Sequence, residues 1–103
     1  MIKTTIDQLK FSETRILAEY FGTMPLTEGG FKIFNPAEKP QEGHTHNVNE
    51  VLVFIQGKGE VSVDGKAYPV KTGDVIILKP GEAHKTKTSD VDPLVAAWFC
   101  MDR

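Results

Sequence analysis

The side chains best suited to metal chemistry in this sequence are three histidines and one glutamate. His44 and His46 are one residue apart, Glu50 follows after three residues, and His84 lies further along the chain, which has no other histidine. Neutral imidazole nitrogen and carboxylate oxygen are donors that suit divalent first-row transition metals. The four residues therefore suggest a metal centre, whereas any one histidine alone is more often a surface or satisfied core residue.

Strand geometry relates the first two of these donors to each other. Side chains alternate along an extended strand, so His44 and His46 are expected to project from one face. A turn within residues 47–49 is expected to carry Glu50 onto the neighbouring strand, and His84 must arrive from elsewhere in the fold. A six-coordinate ion held by these four side chains would keep two open positions, which is typical of catalytic rather than closed structural centres.

Composition restricts the class of protein. A chain of 103 residues predicts a single domain, and a formal charge of -2 offers no basic surface for nucleic acid. The first residues contain no continuous apolar stretch, so neither a secretory signal nor a membrane span is predicted. The single cysteine, Cys100, cannot form an internal disulfide and is expected to be a small buried hydrophobe rather than a catalytic thiol. A cytoplasmic location is predicted.

Short β-prone runs punctuated by glycine and proline predict an all-β sandwich or barrel. The expected strands are residues 15–21, 31–34, 50–55, 60–63, 66–70, 75–78 and 94–101. Residues 57–59 are expected to form a turn. Asp64-Gly65 is the dipeptide preferred in a two-residue type I′ hairpin, and it places Val63 opposite Lys66 and Val61 opposite Tyr68.

The strand at 50–55 is apolar at every position after Glu50, which indicates that both of its faces are covered. Alternation puts Leu52 and Phe54 on the side of Glu50 and the other three residues on the opposite side. That opposite side needs a partner, either the N-terminal segment or a second subunit, and we expect a homodimer.

The roles of several other residues stay open at this stage. Trp98 shares a strand face with Cys100 and is assigned equally to a pocket or to a dimer interface. Tyr20 and Tyr68 are possible proton donors, although Tyr68 is expected to pack within the hairpin. Residues 23–30 are expected to form a surface loop, with a lid over the site as the alternative.

Two motifs resemble those of the cupin superfamily. Residues 44–50, HTHNVNE, followed by six residues and Gly57, are similar to the first cupin motif. Gly73, seven residues, Gly81, two residues and His84 are similar to the second motif. Lys79 replaces the usual proline of the second motif, but that position does not donate to the metal.

The resemblance implies a small single-domain metal-binding cupin of the cupin 2 conserved-barrel type, spanning residues 1–103. The implied fold is a double-stranded β-helix, or jelly-roll barrel, with an N-terminal arm at about 1–30 and the barrel at about 31–103. His44, His46, Glu50 and His84 carry over as ligands to a divalent transition metal, namely Fe, Mn, Zn, Ni or Cu.

The activity expected from this resemblance is metal-dependent chemistry on a small oxygen-bearing substrate. The reaction is either of the dioxygenase type or a Lewis-acid isomerisation, decarboxylation or lyase reaction. Glu50 is the one catalytic candidate, because a carboxylate that leaves the metal can accept a proton from substrate. The alternative is a non-catalytic module that binds or senses a small ligand through its metal. Nucleic acid and membrane partners are not expected.

Overall fold

A computed structural model describes residues 1–5, 26–37 and 47–101, and this part of the chain consists of β-strands, turns and loops. The strands are β1 (Ile2–Thr5), β2 (Leu26–Ile33), β3 (Asn49–Gln56), β4 (Lys58–Val63), β5 (Lys66–Lys71), β6 (Asp74–Leu78), β7 (His84–Thr88) and β8 (Val95–Met101). The strand predicted at 15–21 lies outside the described residues, and so do His44 and His46.

The described strands form two antiparallel sheets. A five-stranded sheet has the order β1-β6-β3-β8-β2, and a three-stranded sheet has the order β5-β4-β7. The inner core is built from apolar side chains of both sheets: Leu52, Phe54, Val61, Val63, Val70, Ile76, Leu78, Leu94 and Ala96. The all-β, jelly-roll fold predicted from the sequence is confirmed.

The β4–β5 hairpin has the predicted turn and the predicted register. Asp64 and Gly65 both have positive φ angles, 49° and 84°, as a type I′ turn requires. Val63 lies opposite Lys66 and Val61 lies opposite Tyr68. This hairpin matters for the site because β4 also pairs with β7, the strand that begins at His84.

The N-terminal part of the described chain differs from the sequence prediction. Residues 2–5 form β1, an edge strand paired with β6 that the sequence did not indicate. The surface loop or lid predicted for 23–30 is wrong from Leu26 onward, because Leu26–Ile33 pairs with β8. Tertiary pairing here overrides a low local β-propensity.

Two glycines explain why this segment looks like a loop in sequence. A Cβ atom at Gly29 would lie 2.9 Å from the Trp98 carbonyl oxygen, and one at Gly30 would lie 3.4 Å from the indole nitrogen of the same residue. Gly29 therefore permits the close approach of β2 to its neighbour β8, whereas a Cβ atom at Gly30 would make only an ordinary contact.

The outer face of the larger sheet carries a second apolar cluster. Val51, Val75 and Ile77 are buried there, with Val53 and Phe99 among the partly buried residues around them. Further along the same face, apolar side chains are exposed: Phe31 by 74%, Ile33 by 71% and Ile55 by 47%. We call these three exposed residues the outer patch.

Gly57 connects the two sheets at the turn between β3 and β4. The predicted turn is shorter than residues 57–59, because Lys58 and Gly59 already belong to β4. Gly57 has a φ angle of 87°, and a Cβ atom there would lie 2.0 Å from the Pro93 carbonyl oxygen. Only glycine satisfies both the left-handed backbone and the close contact.

Gly57→Ala is therefore expected to destabilise the fold more than Gly73→Ala. Gly73 has a φ angle of 92° but nothing within 4 Å of its would-be Cβ, so its substitution introduces backbone strain alone. We expect a loss of roughly 1 kcal/mol for Gly73→Ala and at least about 2 kcal/mol for Gly57→Ala, measured by urea unfolding. Equal losses would show that the Pro93 contact imposes no constraint.

Candidate metal centre

Glu50 reaches the interior from the larger sheet. It lies on β3 opposite Leu78 on one side and Cys100 on the other, on the same face as Leu52 and Phe54, as predicted. Glu50 is only 8% exposed. A carboxylate at this depth needs hydrogen bonds or a cation to offset its lost hydration.

His84 reaches the same interior from the smaller sheet. It is the first residue of β7, lies opposite Val63 of β4 and is 5% exposed. Its Nε2 lies 3.9 Å from Oε1 of Glu50. The structure thus brings together two residues that are far apart in sequence and were both predicted as ligands.

The distance between Nε2 of His84 and Oε1 of Glu50 allows one ion to bind both atoms. At 3.9 Å, Nε2 and Oε1 are further apart than a hydrogen bond allows. Two atoms bound to one ion at about 2.1 Å lie about 3.0 Å apart when their bonds meet at a right angle and about 4.2 Å apart when they are opposite. The observed distance is short enough for one ion to contact both atoms, and the nitrogen and oxygen donors suit a transition metal.

The other ring nitrogen of His84 is directed at the backbone. Nδ1 lies 3.4 Å from the Glu82 carbonyl oxygen. A carbonyl oxygen only accepts hydrogen bonds, so this contact requires the proton to be on Nδ1. In the neutral imidazole Nε2 then carries the lone pair on the side of Glu50, which is the tautomer that a metal-binding histidine needs.

The backbone before His84 is tied to the β4–β5 turn. The Asp64 N–H donates to the Ala83 carbonyl oxygen at 2.8 Å, and the Ala83 N–H donates to Oδ1 of Asp64 at 3.0 Å. These two bonds join the turn of one strand pair to the start of β7. The backbone just before the imidazole is therefore held through both the N–H and the carbonyl oxygen of Ala83.

The carboxylate of Glu82 closes the turn that leads into β7. Its Oε1 accepts the Lys79 N–H at 2.7 Å, and its Oε2 accepts a hydrogen bond from the amino group of Met1. Burial raises the pKa of Glu82, but the amino group and the Lys79 N–H together outweigh burial and hold that pKa below its usual value. Glu82 is therefore ionised while it supports the turn.

Cys100 contributes a contact that the sequence did not reveal. The residue is buried, as predicted, and its Sγ lies 3.5 Å from Oε2 of Glu50. The only sequence signal for this contact was strand alternation, which placed Cys100 and Trp98 on one face. Trp98 lies on the inner face, where it packs against the inner core rather than towards the outer patch.

Of the four predicted ligands, Glu50 and His84 lie together, and His44 and His46 fall outside the described residues. Within residues 1–5, 26–37 and 47–101, no three His, Cys, Asp or Glu side chains gather as they would around an ion. The assignment of all four ligands therefore stays a prediction.

Comparison with known families places this fold and this pair of residues in a class. The family model for the cupin domain matches residues 30–100. This range contains both Glu50 and His84 and all described strands apart from β1, the first part of β2 and the last residue of β8. The chain belongs to the cupin family.

Solved structures support the same assignment. The plu4264 protein of Photorhabdus luminescens is 26% identical, with a TM-score of 0.64 over 73% of this chain and 62% of its own. A cupin 2 conserved barrel domain protein of Salinispora arenicola is 26% identical, with a TM-score of 0.60 over 69% of this chain and 60% of its own. The chain thus spans about three fifths of the length of each.

A third structure matches over more of both chains. An uncharacterised conserved protein of Klebsiella pneumoniae with a double-stranded β-helix domain has a TM-score of 0.63 at 21% identity, over 86% of this chain and 90% of its own. At that identity the match concerns the fold alone. No curated protein matches the chain. In the part of the chain that the structure describes, no helix is long and apolar enough to span a membrane.

Proposed function

We propose that this cupin is a metal-dependent enzyme whose centre consists of His44, His46, Glu50 and His84. The observation that carries the proposal is the buried pair formed by the Glu50 carboxylate and the His84 imidazole, 3.9 Å apart. Each comes from a different sheet, and the cupin match contains both. The two remaining ligands are proposed from the H-x-H motif at 44–46.

The electrostatics of the pair favour a cation between the two groups. A divalent ion bound by both groups would supply a positive charge to the buried carboxylate and would occupy the imidazole lone pair. The Nδ1 contact with the Glu82 carbonyl oxygen already prepares the imidazole for that role. The proposed ions are Fe, Mn, Zn, Ni or Cu.

The proposed substrate is a small oxygen-bearing molecule. A bound transition metal supplies either dioxygen activation or Lewis-acid polarisation of a carbonyl oxygen. The chain itself supplies apolar neighbours on the interior side, since Leu52 and Leu78 are buried in the inner core and Trp98 packs against it. Glu50 is the proposed general base, because a carboxylate that leaves the metal can accept a proton from substrate.

Metal analysis tests the centre directly. We expect about one ion per wild-type chain, and at least about tenfold weaker binding in Glu50→Gln and His84→Ala, because each removes a donor. The matched controls are Glu60→Gln, on β4, and Lys85→Ala, next to His84 and exposed. Binding is measured by titration, with circular dichroism to verify folding.

Wild-type protein that takes up no metal, or ligand variants that bind as tightly as the controls, would refute the centre. A loss of binding confined to variants that have also lost their β-sheet spectrum would refute a specific role for those side chains. Neither result depends on knowing the substrate.

The reaction is tested with the loaded protein. We expect turnover of a small oxygen-bearing compound, with oxygen consumed when Fe-, Mn- or Cu-loaded protein meets catechols, thiols or diketones if the dioxygenase branch is correct. Substrate loss without oxygen uptake indicates the Lewis-acid branch. Binding of small acids or sugars without turnover of any compound would overturn the enzyme proposal and favour a sensing module. Oxygen electrode and chromatographic assays separate these outcomes.

We further propose that a second copy of this chain covers the outer patch. Phe31 and Ile33 lie on β2, which within the described residues is an edge strand paired only with β8. A two-fold axis would bring the same face of two copies together, so that one apolar surface meets the same surface on the partner. An exposed edge with large apolar side chains is otherwise prone to aggregation.

Light scattering tests this arrangement. We expect the wild-type chain to be a dimer and Ile33→Asp to be a monomer, because a charge at the centre of the patch would be desolvated in the interface. The control is Val91→Asp, since Val91 is 86% exposed in the loop between β7 and β8. A monomeric wild-type protein, or equal dissociation of both variants, would contradict the interface.

A further inference from the structure

The contact between Cys100 and Glu50 is built into the pairing of two central strands. The residues are direct register partners of β3 and β8, and both project into the interior. Sγ lies 3.5 Å from Oε2, and the Cys100 residue is 2% exposed. The thiol donates this hydrogen bond and the carboxylate oxygen accepts it.

This contact separates the roles of the two carboxylate oxygens. Oε2 faces the Cys100 thiol, whereas Oε1 is the oxygen 3.9 Å from Nε2 of His84. A donor on Oε2 withdraws electron density from that oxygen and resists rotation of the carboxylate about its terminal bond. The groups that orient a ligand commonly contribute to metal affinity as well.

We propose that Cys100 is a positioning residue that directs Oε1 of Glu50 towards the proposed metal, so that the carboxylate binds through one oxygen only. This inference rests on the metal centre proposed above, and it adds a role for a residue outside the four ligands. One-oxygen binding takes up a single coordination position instead of two, which leaves one more for substrate.

Ordinary packing is the alternative explanation, since a buried cysteine also fills space as a small hydrophobe. Three substitutions separate the two explanations. Cys100→Ser keeps a hydrogen-bond donor, Cys100→Val keeps an apolar side chain without a donor, and Cys100→Ala removes both the donor and the volume. Positioning predicts rescue by serine, and packing predicts rescue by valine.

The first experiment measures metal affinity of the folded variants, with Mn and Zn as probes. We expect Cys100→Ala and Cys100→Val to bind about tenfold more weakly than wild type, and Cys100→Ser to remain within about twofold. The infrared carboxylate bands of loaded wild type and Cys100→Ser should show one-oxygen binding, and those of Cys100→Val a shift towards two-oxygen binding. Wild-type affinity in Cys100→Val, or equal weakening in all three variants, would overturn the proposal.

The second experiment needs no metal and no Cys100 variant, and it compares wild type with folded Glu50→Gln. The chain has one cysteine, so its S–H stretching band belongs to Cys100 alone. We expect this band at the low frequency of a hydrogen-bonded thiol in the metal-free protein, and a shift to higher frequency in Glu50→Gln, whose neutral amide is a weaker acceptor. A band insensitive to that substitution would overturn the contact.

The two proposals fail in different ways. Wild-type protein that binds no metal would refute the centre and leave the S–H band as it is. Wild-type protein that binds metal, with Cys100→Ala and Cys100→Val unchanged in affinity, would retain the centre and remove Cys100 from it.

Discussion

A carboxylate buried between two β-sheets is the constraint on which the rest of the described structure depends. Glu50 lies on β3 just before five apolar residues, and burying its carboxylate is unfavourable unless nearby groups offset the loss of water. His84 and Cys100 approach it from two different strands, at 3.9 and 3.5 Å. Each of these contacts requires a defined strand register, so the pairing of the strands also determines the geometry of the site.

The turns at this end of the molecule maintain that register. The type I′ turn at Asp64-Gly65 is hydrogen-bonded to Ala83, and the Glu82 carboxylate closes the turn before it. These contacts connect the two turns to His84, whose side chain faces Glu50 across the interior. Because Glu50 and His84 lie near the ends of paired strands, the sheets hold these two residues in place.

Some residues of the candidate site could be identified from the sequence and others could not. The H-x-H motif, Glu50 and His84 stood out by residue type and spacing, and the inward face of Glu50 followed from alternation. Cys100 did not stand out, because a lone cysteine in an apolar run reads as core packing. Its partner became visible only when β8 was seen to pair with β3 in a register that sets it opposite Glu50.

The sequence by itself determined the all-β class, the inward face of β3 and the turn and register of the β4–β5 hairpin, because each depends on alternation or on a turn of two residues. Only the tertiary structure decided that residues 2–5 and 26–30 join the larger sheet and that His84 faces Glu50. These outcomes depend on pairing between distant segments. The free energy of such pairing comes from neighbours that local propensity does not specify.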